Sequence, residues 1–317
     1  MDAPPGPGGA HVLLARLPAD RPWPHLRATG RAAAPTSKIA AMDRALLDFA
    51  VELVEEAGGI AARRFTEAGV YGRRSSGAAA GRRRSDRTSG TPADVELEDL
   101  LRARIGARFP DDAVLGEESG LHEGTSDRRW VLDPLNGTTL FVQRVPTFSV
   151  LLALEDADGP AAAVVGYPMS DEILYAGRGL GCWHQVGGAE PRQVSVNDTT
   201  RRRGALVGML NPHTWSEELL LALHRETFLL PWEKASLDLA TGRCDALVIA
   251  GYPMGYEDLA VLPVLVTEAG GRVTDLHGRD VLEGDGSVLA TNGHLHDALL
   301  EIVAGLPHGR DFRALRP

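Results

Sequence analysis

The sequence predicts an α+β half joined to an α/β half, and three observations carry that prediction. Apolar runs in the first half come in pairs around short turns, as antiparallel strands do. Beyond residue 200, helical and strand-like stretches alternate. The chain has 317 residues with 44% hydrophobic content, enough for one large domain or two packed halves. The boundaries read as a Pro-, Gly-, Ala- and Arg-rich extension over 1–41, expected to be disordered, then 42–195 for the α+β half and 196–317 for the α/β half.

The elements follow in order. From Met42, Leu46, Leu47, Ala50, Val51, Leu53, Val54 and Ala57 recur at helical spacing. Gly58-Gly59 are expected to interrupt or end that helix before Ile60 and Phe65. Residues 72–90 are Gly, Ser and Arg with almost no apolar content, which predicts a mobile loop carrying Arg82-Arg83-Arg84. Thr91-Pro92 opens a helix over Asp94 to about Phe109, with Leu97, Leu100, Leu101 and Ile105 on one face. Short strands are predicted at Ala113–Leu115 and at Trp130–Asp133. Phe148–Leu154 and Ala161–Tyr167 read as a pair around the Asp158-Gly159 turn, and Ile173–Ala176 pairs with Cys182–His184.

In the last third, Ala205–Val207 reads as a strand, followed by a helix from about Ser216 and another near Leu237. Ala246–Ala250 is strand-like, and one continuous helix is expected over Asp258–Ala269, stopped by Gly270-Gly271. Strands at Gly271–Thr274 and Val288–Ala290 and a helix over His296–Val303 complete the pattern.

Net charge is −10, which argues against nucleic acid or an anionic membrane as the main partner. No run of about 18 apolar residues is present, so no membrane-spanning helix is expected. Two isolated cysteines, Cys182 and Cys244, suit ordinary buried positions in a reducing cytoplasm.

Three acidic elements each end an apolar run: Leu115-Gly116-Glu117-Glu118-Ser119, Asp133-Pro134-Leu135-Asn136-Gly137-Thr138, and Tyr256-Glu257-Asp258. Singly, such pieces are surface acids or helix caps. Together they offer oxygen ligands beside a glycine turn, which suits a hard cation and the phosphate it holds.

These motifs resemble the inositol monophosphatase family of Mg²⁺-dependent sugar phosphatases, and also its histidinol-phosphate phosphatases. The resemblance covers about residues 45–303. It implies a layered αβαβα sandwich of the sugar phosphatase type, a homodimer, and hydrolysis of a small phosphorylated metabolite with two or three Mg²⁺ ions, or Mn²⁺. By matching motifs it implies metal ligation by Glu117, Asp133, the Leu135 carbonyl, Asn136 and Asp258. Asp94 and Thr138 then orient the attacking water, and Asn136, Gly137, Thr138 and Asp258 line the substrate.

The chain departs from the family pattern at several points. Asn136 stands where the family has Asp, Glu257 precedes Asp258 where the family has Trp, and the segment before Asp94 is short. Lys234 falls where the family has a small-residue substrate turn, either as a new anion contact or as a surface lysine. No acid in 247–255 matches the polyol-contacting glutamate of inositol phosphatases. These departures define an alternative, a non-catalytic relative that binds a phosphorylated ligand or partner.

Overall fold

A computed structural model of the chain describes residues 42–67 and 90–310. The extension expected over 1–41 and the loop bearing Arg82-Arg83-Arg84 lie outside the described residues.

Helices α1 (Arg44–Glu67) and α2 (Pro92–Arg108) come first. The expected break at Gly58-Gly59 does not occur: α1 runs through both glycines. A Cβ at Gly58 would sit 3.3 Å from the Pro168 ring, so the bare backbone lets the helix lie close to the sheet behind it. Thr91 caps α2, with its hydroxyl accepting from Ala93 N–H and its own N–H donating to Asp94.

Eight strands form the first sheet: β1 (Ala113–Gly116), β2 (Gly120–His122), β3 (Arg129–Asn136), β4 (Ser149–Asp156), β5 (Gly159–Tyr167), β6 (Glu172–Gly177), β7 (Gly181–Val186) and β8 (Arg192–Val194). Their order is β2-β1-β3-β4-β5-β6-β7-β8. Among the described residues of this sheet, only the β1–β3 pairing is parallel, with Gly116 opposite Leu132. A short helix, α3 (Thr138–Val142), follows β3.

The second sheet takes β9 (Ala205–Leu210), β10 (Thr227–Pro231), β11 (Ala246–Ile249), β12 (Arg272–Thr274) and β13 (Val288–Thr291), in the order β10-β9-β11-β13-β12. Its helices are α4 (Glu217–His224), α5 (Ala235–Ala240), α6 (Tyr256–Leu259), α7 (Leu262–Glu268) and α8 (His296–Val303). The helix expected over 258–269 is two helices. Pro263 has no N–H to donate and its ring would clash with the Leu259 carbonyl, so α6 ends and α7 restarts. Strands β2, β8 and β10 and helix α3 are short or lack alternation, and periodicity did not find them.

Side-chain alternation sorts the layers. Val114, Trp130, Leu132, Val150, Leu152 and Val164 face α1 and α2. Leu115, Val131, Leu151, Ala163 and Val165 point the other way, into one core with α5, α7 and the near face of the second sheet (Leu247, Ile249, Val288, Ala290). The far face of that sheet packs Val207, Val248 and Leu289 against α4 and α8. The result is helices, sheet, helices, sheet, helices: the expected αβαβα sandwich. The middle helices are buried from both sides, which explains why α7 reads Leu-Pro-Val-Leu-Val with no polar stripe.

Leu265 lies in that middle layer at 1% exposure. Leu265→Ala is expected to destabilise the fold by about 2–5 kcal/mol in urea unfolding. A change well under that range would mean that the two sheets do not share this core.

Candidate active site

Strands β1 and β3 run parallel, so their carboxyl ends emerge side by side. Glu117 leaves the end of β1, and its N–H donates to the Leu132 carbonyl at 3.2 Å. Asp133 sits next along β3, at 1% exposure. Pro134 removes a ladder donor, and the β3–β4 register shifts between Asp133 and Asn136. That bulge turns the backbone away from the sheet. Leu135 N–H comes back on Asp133 Oδ1 at 3.2 Å. Gly137 then takes φ +86°, a left-handed conformation that favours glycine, and α3 begins.

The turn delivers Thr138 to the start of α2. Its Oγ1 lies 2.9 Å from Asp94 Oδ1 and 3.1 Å from the Leu135 carbonyl oxygen. The other Asp94 oxygen accepts from Thr91 N–H at 2.7 Å and from the Thr91 hydroxyl at 2.5 Å. Asp94 is therefore fixed by the helix cap itself, and the short segment preceding it does not misdirect it.

The third element arrives from the second half of the chain. Asp258 is the third residue of α6, and its Oδ2 accepts from Gly255 N–H at 2.8 Å. Asn136 Nδ2 donates to Asp258 Oδ1 at 2.8 Å, and the Ser149 hydroxyl reaches Asn136 Oδ1 at 3.5 Å. Tyr256, two residues before Asp258, donates its hydroxyl to Glu155 of β4 and lies 3.0 Å from Arg129 Nη2 of β3. Arg129 also pairs with Glu155 at 2.5 Å. This bridge ties α6 to the two strands that flank the bulge.

The carboxylates crowd one another. Burial, then the charges of Asp258, Glu118 and Glu257, push Glu117 up to about 8. Burial, with Asp258 and Glu117 beside it, holds Asp133 well above the usual carboxylate range. Burial, with Glu257 nearby, pushes Asp258 up to about 6. The Asn136 amide opposes the rise at both Asp133 and Asp258. Asp133 is close enough to both Glu117 and Asp258 for each to act on its ionisation. An all-oxygen donor set with excess negative charge and a central carboxylate fits a hard divalent cation.

The eight residues predicted as site residues thus meet at one place: Glu117, Asp133, Leu135, Asn136 and Asp258 on one side, Thr138 and Asp94 on the other, with Gly137 in the turn. Lys234 does not join them and fits neither expectation. Its Nζ donates to Glu172 Oε1 at 2.7 Å and to the Ser170 hydroxyl at 2.5 Å, and lies over the Tyr167 ring.

Sequence reasoning missed Glu98. Fully buried on α2, its carboxylate accepts from Glu118 N–H at 2.8 Å and Ser119 N–H at 2.9 Å. Arg102 donates to it at 2.8 Å and also reaches the Gly120 carbonyl. The loop holding Glu117 is thereby bolted to α2. A Cβ at Gly116 would come within 2.4 Å of the Glu98 carboxyl carbon, so this approach requires glycine. The one signal available was an acid embedded in the apolar face beside Leu97 and Leu101.

Fold and site together define a carboxylate-lined, metal-ready site on the layered αβαβα sandwich of the sugar phosphatases. The chain belongs to the inositol monophosphatase family, whose profile matches residues 42–308. It is 35% identical over 224 residues to a histidinol-phosphatase of Mycobacterium tuberculosis, spanning 68% of this chain and 84% of that one. It is 32% identical over 222 residues to an inositol-1-monophosphatase of Mesorhizobium japonicum, spanning 67% and 81%. Among solved structures, the extragenic suppressor protein SuhB of Bartonella henselae superposes with a TM-score of 0.69 at 25% identity, covering 82% of this chain and 98% of that one. The family is generally metal-dependent.

Two predictions follow from this geometry. Glu98→Gln keeps the shape but weakens the acceptor for two loop N–H groups. Metal affinity should fall by about tenfold to a hundredfold in calorimetric titration, with circular dichroism unchanged; native-like affinity would remove Glu98 from the site. The second concerns pH. Raised carboxylates hold more protons folded than unfolded, so the metal-free protein loses stability as pH rises from about 4.5 through about 8. Mg²⁺ should raise the unfolding temperature more at the alkaline end of that window than at the acid end. An increment that is flat with pH would show that these carboxylates do not bind the ion.

Proposed function

We propose that this protein is a phosphomonoesterase that hydrolyses a small sugar, polyol or amino-alcohol phosphate with a metal-activated water. The observation that carries the reading is the Thr138–Asp94 couple, held at 2.9 Å on the turn that also bears Asp133. Folding does not require a hydroxyl–carboxylate pair beside three converging carboxylates.

The ion we assign is Mg²⁺, two or three per chain, with Mn²⁺ as an alternative on the same oxygens. Glu117, Asp133, the Leu135 carbonyl and Asp258 would hold it, with Asn136 as a neutral fifth donor. When bound, it supplies charge neutralisation for the phosphoryl oxygens and the leaving alkoxide, and lowers the pKa of water.

The chain's own groups do the rest. Thr138 Oγ accepts a hydrogen bond from the attacking water and passes its own proton toward Asp94 Oδ1. Thr91 holds the second Asp94 oxygen, so the carboxylate cannot rotate away. The Gly137–Thr138 backbone borders the phosphate. Family resemblance supports a homodimer, and the two unpaired, buried cysteines support a reducing, cytoplasmic setting.

Asn136 favours a second reading. In this geometry its amide N–H sits against Asp258, where a second carboxylate would instead leave room for a cation. A site that has exchanged one cation contact for a hydrogen bond holds its second ion weakly, and in the limit the protein binds phosphorylated ligands without turning them over.

Phosphate release from a panel of histidinol, inositol, sugar and nucleotide phosphates, titrated with Mg²⁺, separates the two. The native chain is expected to turn over at least one substrate, and Asp133→Ala to lose about 10³-fold or more. Asn136→Asp should lower the Mg²⁺ concentration needed for half-maximal rate. Silence in the native chain, with activity appearing in Asn136→Asp, would establish the non-catalytic reading.

A further inference from the structure

Away from the carboxylate site, the turn after β12, the loop before β13 and the segment after α8 bring two imidazoles and a carboxylate together. His277, Asp285 and His308 each offer a ligand atom, all within 4.8 Å of one another. His277 Nε2 lies 3.1 Å from Asp285 Oδ2, and the two rings stand 4.8 Å apart between centroids.

We propose that His277, Asp285 and His308 form a second divalent-metal site, selective for an imidazole-preferring ion such as Zn²⁺, that staples the C-terminal segment to the loop before β13. The donors are organised for it. His308 Nε2 faces the Val303 carbonyl at 3.1 Å. A carbonyl can only accept, so Nε2 carries the proton and Nδ1 keeps its lone pair for a cation. A ring nitrogen donating to a backbone carbonyl is the usual support of a metal-bound histidine. Asp285 Oδ1 is occupied by Ser287 N–H at 3.0 Å and the Ser287 hydroxyl at 2.5 Å, so Oδ2 is the oxygen turned to the histidines.

The backbone around the ligands is fixed as well. Buried Asp275 accepts from His277 N–H and Arg279 N–H, both at 2.8 Å. The His308 carbonyl accepts from Ser216 N–H at 3.0 Å. The nearest competing cation is Arg279, whose Nη2 lies 3.8 Å from Asp285 Oδ2. Its Nε is committed to Asp275 at 2.7 Å, which leaves the guanidinium a distant rival. His277 and Asp285 are exposed and His308 is half-buried, so an ion reaches them from solvent. Two nitrogens and one oxygen with an open fourth position suit Zn²⁺, whereas Mg²⁺ takes oxygen ligands.

The location gives the staple a consequence. Gly286, next to Asp285, accepts from Met254 N–H at 2.9 Å. On the other side, Arg310 N–H donates to the Thr214 carbonyl at 2.8 Å, and the Thr214 hydroxyl donates to Ala250 at 3.1 Å. The two stapled segments therefore hold both ends of residues 250–254, the loop that leads directly to Gly255 and Asp258.

The test is calorimetric titration of the full-length, chelator-stripped protein with Zn²⁺ in excess Mg²⁺, beside Asp133→Asn, His277→Ala and His308→Gln. His308→Gln retains a side-chain donor for Val303 while removing the metal-binding nitrogen. One Zn²⁺ per chain is expected for the native protein and for Asp133→Asn. Affinity should drop by more than the about tenfold that loss of a supporting group gives in both histidine variants. Zn²⁺ should also raise the unfolding temperature of the native chain and not that of His308→Gln. Zn²⁺ binding that survives both histidine variants, or is abolished by Asp133→Asn, would place the ion at the carboxylates and overturn the proposal, as would the absence of any Zn²⁺ binding.

Discussion

Buried negative charge in one small space is the constraint on which the rest of this structure depends. Glu117, Asp133 and Asp258 come from three separate segments, and burial together with their mutual charge holds each above the usual carboxylate range. A fold selected only for stability would place apolar residues here. The site is therefore a standing electrostatic debt, and the surrounding architecture exists to keep it from collapsing. The parallel β1–β3 pair is the one parallel pairing among the described residues of the first sheet, and its strand ends open the crevice where ligands gather in α/β sheets.

The supports share a pattern: each carboxylate-bearing segment is tied by polar contacts to a regular element of the first half of the chain. Glu98 and Arg102 tie the Glu117 loop to α2. The Thr91 cap ties Asp94 to the same helix. Tyr256, Arg129 and Glu155 tie α6 to β3 and β4. Each contact is satisfied on both sides, which matters because an unpaired buried polar group is itself destabilising by about 1–3 kcal/mol. The positions of these oxygens are thus set by α2 and the first sheet, so that on the proposed metal assignment little reorganisation would remain for the moment of binding.

Much of this was legible in the sequence, for reasons that can be named. The strand expected to end at Asp133 runs on to Asn136, but Pro134 announces the interruption in its ladder and Gly137 the turn that follows, because proline fixes φ and lacks an N–H while glycine alone takes the left-handed conformation freely. The long helices and the central antiparallel strands were visible because burial on one face imprints a period. What was not legible depends on contacts between distant residues. Lys234 reads as a surface lysine until Glu172, 62 positions away, is seen to face it. Glu98 reads as an ordinary helix acid until Gly116 is seen to make room for it. The split of the 258–269 helix was written in Pro263, where the apolar run on either side outweighed the proline in the reading. The strands β8 and β10 are mostly exposed, so burial imprints no alternation on them.

Asn136 is the residue on which the two functional readings turn, and the geometry says what the exchange from carboxylate to carboxamide does. With a carboxylate at 136, Asp258 would face a like charge, and only a cation between them would relieve it. With the amide, Asp258 receives a neutral donor at 2.8 Å, and the resting site is less strained without metal. On the metal assignment proposed above, the carboxamide would act in two directions at once: it relieves the metal-free site and would weaken a second ion. A substrate phosphate brings negative charge of its own to the same place, which restores the attraction for that ion only when substrate is present. On that assignment the last cation would bind together with the substrate, and activity would rise with metal and substrate in concert and not independently.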